Sequence, residues 1–302
     1  MQSLSSLAVK TYFKWQRHKR GGKHYPIQVV RKYFEQQARR LPSVKNLKVE
    51  TEKTDIKGIP STWFTPKPIP SKPLANHIIY YLHGGGYAIC SVNTHQRLIA
   101  HIAKACHAKV LAIDYRLAPE HPFPAAIEDA ISVYQHLLQS YRPSQIILMG
   151  DSAGGGLSAA SLLKMKQLQI PLPKAAVLLS PWVDLVGENE SYHTKADKDL
   201  IIAVADIRRY SKDYFKNTAP THPLVSPVYA DLSGLPPLLI QVGTHEVLID
   251  DSLKLAEKAK QDGVDVTLQI WENMLHVWQF FADFMPESKK AIRNIAEFIE
   301  HL

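Results

Sequence analysis

Ile146-Ile147-Leu148-Met149-Gly150-Asp151-Ser152-Ala153-Gly154-Gly155 runs from a short apolar stretch into a glycine-flanked serine and on into a segment of helical period. This is G-x-S-x-G at a strand-to-helix turn, a setting that strains the serine backbone and lifts its hydroxyl above the edge of a sheet. The glycines let strand and helix approach without a Cβ clash. A helix starting just after Ser152 also presents free backbone N–H groups and the positive end of its dipole to an oxyanion.

Outward from this turn, short apolar runs alternate with helical segments, which predicts an α/β fold: a mostly parallel central sheet with helices on both faces. Strands are expected over Asn76–Leu82, Lys109–Asp114, Gln145–Met149, Ala175–Leu179, Pro237–Val242 and Val266–Trp271, most of them apolar enough to be buried on both faces. An earlier pair, Leu47–Thr51 and Ser61–Thr65, reads as antiparallel edge strands. Helices are expected over Thr94–Lys104, Ala125–Leu138, Gly155–Lys166, Asp251–Gln261 and Ser288–Ile299. Pro66, Pro68, Pro70 and Pro73 mark a surface loop.

Two segments break the alternation. Residues 1 to about 42 interleave Tyr12, Phe13, Trp15, Tyr33 and Phe34 with basic residues at helical spacings. Asp184–Thr221, with a helical stretch at Ala203–Phe215, far exceeds the usual connection of about 2 to 6 residues and has the length of a lid over a ligand site.

Composition excludes several classes. The 302 residues are 45% apolar and 21% charged, enough for a large core. Two cysteines, Cys90 and Cys106, build neither a disulfide framework nor a CxxC metal or redox site, which favours a reducing, cytoplasmic setting. No run approaches the roughly 18 apolar residues of a membrane span, and the N-terminus lacks the apolar core of a signal peptide. The net charge of +8 is local: residues 1–50 hold twelve Lys and Arg against Glu35 and Glu50, leaving 24 basic and 26 acidic residues for the rest. A nearly neutral body argues against nucleic acid as a partner. The basic segment reads as a solvated face, with weak membrane-surface contact as its alternative role.

A second glycine cluster, His83-Gly84-Gly85-Gly86-Tyr87, follows another apolar run and exposes backbone N–H groups suited to cradling negative charge. It lacks the lysine and serine of a phosphate loop. A serine nucleophile needs a base, and of fourteen histidines His276 is the one placed between the last strand and the last helix. The acid that orients the base is expected just after the strand ending at Val242, where Glu246, Asp250 and Asp251 are available. Glu246 lies nearest the strand end and is preferred, Asp250 is its alternative, and Asp251 reads as a helix N-terminal charge. The order Ser152, Glu246, His276 is that of α/β-hydrolases.

These residues resemble the motif set of the hormone-sensitive-lipase-like esterases, also called bacterial lipolytic family IV. The resemblance rests on His83-Gly84-Gly85-Gly86, Tyr115 through Pro124, Gly150-Asp151-Ser152-Ala153-Gly154, Ser180-Pro181-Trp182 and Met274-Leu275-His276, and covers about residues 76–301. It implies an α/β-hydrolase fold and an oxyanion hole built from Gly85, Gly86 and Ala153. It gives His83, Arg116 and Glu120 structural parts. It also implies a helical cap, dividing the chain into a cap segment over 1–45 and a catalytic domain over 46–302 with a cap insertion at about 184–221. Glu246 stands where many members have Asp, and Tyr87 where Trp is frequent. The expected protein is a serine carboxylesterase that hydrolyses short- to medium-chain acyl esters through an acyl-enzyme, with a small-molecule ester as partner and no metal or organic cofactor. The same triad serves an amidase, a lactone hydrolase or an acyltransferase; a non-catalytic receptor on this fold is disfavoured by the retained His276. Oligomeric state stays open, a homodimer included.

Overall fold

The computed structural model describes residues 2–20, 25–68 and 77–302, with side chains described except at 19 and 20. Two helices open the chain, α1 (Leu4–Arg20) and α2 (Ile27–Ala38), followed by strands β1 (Val49–Ile56) and β2 (Ile59–Pro66). Then come β3 (Ile78–Leu82), α3 (Val92–Ala105), β4 (Lys109–Ile113), α4 (Ala125–Leu137), β5 (Ile146–Asp151), α5 (Ala153–Gln167) and β6 (Ala175–Leu179). The long insertion holds α6 (Ser191–Thr194) and α7 (Val204–Phe215), and the chain closes with β7 (Leu238–Gly243), α8 (Ile249–Gln261), β8 (Val266–Trp271) and α9 (Pro286–Glu300).

The strands form one eight-stranded sheet in the order β1-β2-β4-β3-β5-β6-β7-β8. Pairing is parallel from β4 to β8, and β2 pairs antiparallel with both β1 and β4. The early pair thus adds antiparallel strands at the sheet edge, as expected, with β2 alone running against the others. The period-two alternation of buried strands splits the core in two. Tyr80, Leu82, Leu148, Leu178 and Ile240 meet α4, α5 and α8 on one face. Ile79, Tyr81, Ile147, Met149, Val177 and Leu239 meet α3 and α9 on the other.

The central strands β3, β5, β6 and β7 are buried throughout, whereas β8, at the sheet edge, has only intermediate and exposed positions. Helix α3 starts earlier than the apolar period suggests because Ser91 caps it: its hydroxyl accepts from Thr94 N while Thr94 Oγ1 accepts from Ser91 N. Of the proline run, Pro66 closes β2, and Pro70, Pro73 and the expected strand start at Asn76 lie outside the described residues. No helix among the described residues is long and apolar enough to cross a membrane.

Candidate active site

Five neighbouring parallel strands, in the order β3-β5-β6-β7-β8, deliver their carboxyl-end loops to one edge of the sheet. In open α/β sheets that edge is where ligands bind. The loops carry, in turn, the glycine cluster 84–86, Ser152, Ser180, Glu246 and His276.

Ser152 sits between β5 and α5 at φ 53° and ψ −122°, a conformation few residues other than glycine adopt. The turn forms because its neighbours lack side chains. A Cβ at Gly150 would stand 2.2 Å from Gly154 O, and one at Gly154 would stand 2.1 Å from Leu82 O. Ser152 N donates to Leu179 O (2.8 Å), and its carbonyl accepts from Trp182 N (2.9 Å). The residue is only 9% exposed, so the hydroxyl is not lifted into open solvent as the motif alone suggests. It lies among the loops from β3 and β6 instead.

His276 and Glu246 meet as expected. His276 Nδ1 lies 2.8 Å from Glu246 Oε2, and both residues are buried. Glu246 Oε1 accepts from Gly243 N (2.6 Å) and Ser180 Oγ (2.8 Å), so all the bonds hold one carboxylate orientation. Asp250, the alternative acid, accepts from Ser191 N instead. Asp251 lies in the first turn of α8, as its reading as a helix N-terminal charge has it, and it has further partners. It is fully buried and accepts from Val183 N, Asp184 N and Asn189 Nδ2, while burial and the Asp184 carboxylate push its pKa up to about 8. Burial lowers the His276 pKa, but the hydrogen bond and charge of Glu246, with Asp199 and Asp151 behind them, raise it on balance above its ordinary value. Among the described residues no hydrogen bond joins Ser152 Oγ to His276.

The glycine loop is tied to the serine turn by Asp151. Its Oδ1 accepts from Gly84 N (3.0 Å) and Tyr81 OH (2.7 Å), and its Oδ2 lies 3.3 Å from His95 Nε2. Gly85 and Gly86 hold φ of 113° and 62°, open to glycine alone without strain. Among the described residues no protein group accepts from the backbone N–H of Gly85, Gly86 or Ala153. His83 stacks on Tyr115 at 4.4 Å with its Nδ1 2.7 Å from Gly84 O, and burial beside His95 drives its pKa down to about 3.

The two segments that broke the alternation close over this edge. Tyr210 of α7 covers Gly86, where a Cβ would stand 2.6 Å from the ring, and Tyr214 stacks on Tyr87 at 3.7 Å. Arg31 of α2 donates to Ala88 O and Ala118 O and pairs with both oxygens of Glu120. Arg17 of α1 donates to Ala196 O and Asp199 O in the insertion. Arg116 pairs with Asp129 and Glu128, away from Ser152.

Three groups escaped the sequence reading. Ser180, in the Ser-Pro-Trp stretch, links Glu246 to the His276 loop, since its hydroxyl also accepts from Val277 N (3.3 Å). Its motif was the available signal. Asp199, fully buried, accepts from Val247 N beside Glu246 (2.9 Å). His95 reaches Asp151 from α3. No local pattern marks the last two. Backbone strain gathers here as well: Tyr87, Ser152, Ser180 and the β-branched Val277 all have positive φ.

A family model of the α/β-hydrolase fold matches residues 79–280. The chain is 45% identical to an acetyl-hydrolase of Streptomyces hygroscopicus over 73% of this chain and 74% of that protein. It is 39% identical to an esterase of Acinetobacter venetianus over 78% of each. The crystal structure of an esterase from the bacterial hormone-sensitive lipase family is similar with a TM-score of 0.91 at 40% identity, covering 99% of this chain and 98% of that one.

Proposed function

The chain belongs to the α/β-hydrolase fold family, among the hormone-sensitive-lipase-like carboxylic ester hydrolases, and from that premise we propose that it hydrolyses short- to medium-chain acyl esters through an acyl-enzyme on Ser152. The observation that carries this reading is the buried Glu246–His276 pair, 2.8 Å apart, on loops that converge with Ser152 at one sheet edge.

In the proposed reaction Ser152 Oγ bonds to the ester carbonyl carbon as its proton passes to His276 Nε2. Glu246 holds the Nδ1–H tautomer and steadies the imidazolium. The oxyanion is received by the N–H groups of Gly85, Gly86 and Ala153, which have no protein acceptor to give up. Collapse breaks the carbon–alkoxide bond, and His276 returns the proton to the departing alcohol. Water then repeats the sequence on the acyl-enzyme, releasing the acid and freeing Ser152. Helices α1 and α2 with the insertion form the cap, and the slight exposure of Ser152 beneath it favours short acyl chains.

Hydrolysis of p-nitrophenyl esters from acetyl to palmitoyl tests this. Turnover is expected to be greatest among acetyl to hexanoyl esters and at least about a hundredfold lower for palmitoyl, a loss of some 2.7 kcal/mol in transition-state stabilisation. Highest activity on palmitoyl, or none on any ester by the folded enzyme, overturns the reading. On the butyryl ester, kcat/KM should fall tenfold per pH unit below the His276 pKa, which lies above 6.5, because only neutral imidazole takes the serine proton. A profile flat through that region removes His276 as the base.

Gly85→Ala tests the oxyanion role. The added Cβ meets Ile89 O at 2.2 Å at a φ of 113°, so the loop must shift and carry its N–H groups off target. The loss of one such donor lowers kcat by about a hundred- to a thousandfold. Unchanged kcat in a folded variant moves the oxyanion site elsewhere.

A further inference from the structure

The exposed large hydrophobic side chains are unevenly placed. Of thirteen among the described residues, eight fall within the first 41 positions, including Leu4, Leu7, Tyr12 and Trp15 on α1 and Val29 and Tyr33 on α2. The same segment holds the chain's charge excess, twelve basic residues against two acidic in residues 1–50. Helix α1 already buries an inner face, with Val9 and Ser6 buried and Phe13 packed on Phe281. Its outer face carries a second apolar stripe: at 100° per residue Leu4, Leu7 and Trp15 fall within an arc of about 80°. Exposed Lys14 flanks the stripe, and exposed Lys32 and Arg40 extend the positive charge along α2 and past its end. Phe284, 55% exposed, prolongs the apolar surface across a groove it shares with Tyr12 and Phe13.

Leucine and tryptophan exposed along one face of α1 with Lys14 beside them, in a segment rich in lysine and arginine, is the composition of a helix lying in the headgroup layer of a membrane. Two copies meeting through this face would bring positive charge against positive charge. A nucleic acid would use the charges and leave Leu4, Leu7 and Val29 without a partner. We propose that α1 and α2 form a docking face for an anionic lipid bilayer, with Leu4, Leu7 and Trp15 entering the headgroup layer and Lys14, Lys32 and Arg40 meeting lipid phosphates. Arg17 and Arg31 tie these helices to the loops at the candidate active site, so docking would bring that site to the bilayer surface.

Co-sedimentation of the full chain with vesicles of phosphatidylcholine alone, or mixed equally with phosphatidylglycerol, tests the proposal. Binding to the mixed vesicles at about 20 mM salt should exceed that to neutral ones at least twentyfold and weaken steeply at about 0.5 M. Lys14→Glu/Lys32→Glu/Arg40→Glu should weaken it by at least about a hundredfold, each basic residue near such a surface being worth about fivefold. Leu4→Ser/Leu7→Ser should weaken it about tenfold with the charge intact. Both variants should hydrolyse a short soluble ester as the wild type does, which shows that they fold. Equal binding to neutral vesicles, no binding at low salt, or wild-type binding by either variant overturns the proposal. So does a dimer that Leu4→Ser/Leu7→Ser dissolves, or duplex DNA that displaces the vesicles.

Discussion

Ser152→Ala is expected to leave a folded protein whose kcat on p-nitrophenyl butyrate is lower by about a millionfold, the scale of loss when a serine hydrolase is stripped of its nucleophile. Binding should survive, so the loss belongs in kcat with KM little changed. The fold should survive because the hydroxyl makes no capping bond to α5, and alanine meets the same φ of 53° that serine already tolerates. Unfolding in denaturant should therefore shift by less than about 1 kcal/mol. The N–H groups of Gly85, Gly86 and Ala153 remain, so a residual rate of about a thousand- to ten-thousandfold over water is expected. A stopped-flow burst of p-nitrophenol should vanish with the acyl-enzyme. Retention of more than about a hundredth of the wild-type kcat would mean that Ser152 is not the nucleophile.

That prediction was open from sequence because the chemistry of Ser152 is written locally. The strand, the two glycines and the helix that strain the turn are all within ten residues of it, and Gly150 and Gly154 show why: neither position has room for a Cβ. His276 and Glu246 were legible for a related reason, since each follows the carboxyl end of a predicted strand and chain order suffices to pair them. What stayed hidden depends on partners distant in sequence. Ser180 reaches Glu246 across 66 positions and Asp199 reaches Val247 across 48. Asp251 was legible as a charge in the first turn of α8, but its donors Val183 N, Asp184 N and Asn189 Nδ2 lie more than 60 positions away, at and just before the insertion, which has no period of its own. The covering of Ser152 escaped for the same reason, as motifs describe the turn and not what folds over it.

Glu246→Gln separates the acid from its neighbours with nearly equal force. The native carboxylate accepts from Gly243 N, Ser180 Oγ and His276 Nδ1, three donors for one charged group. The amide keeps an oxygen for the first two and turns an NH2 toward His276. A donor then faces a donor, so the imidazole moves its proton to Nε2 and loses the lone pair that should take the Ser152 proton. The equivalent change in a serine protease lowers kcat about ten-thousandfold, and a loss of that size is expected here with KM within about threefold. Removing the charge also removes the largest of the interactions that raise the His276 pKa, so the acid limb of the pH profile should move down in whatever activity remains. Glu246→Asp keeps the charge one methylene further off and should cost about ten- to a hundredfold, between the wild type and the amide. Asp250→Asn, which touches Ser191 N and not the histidine, should change kcat by less than about threefold. If Asp250→Asn carried the large loss and Glu246→Gln the small one, the 2.8 Å contact between Glu246 and His276 would be structural, and Asp250 would have to reach His276 by a movement of the first turn of α8.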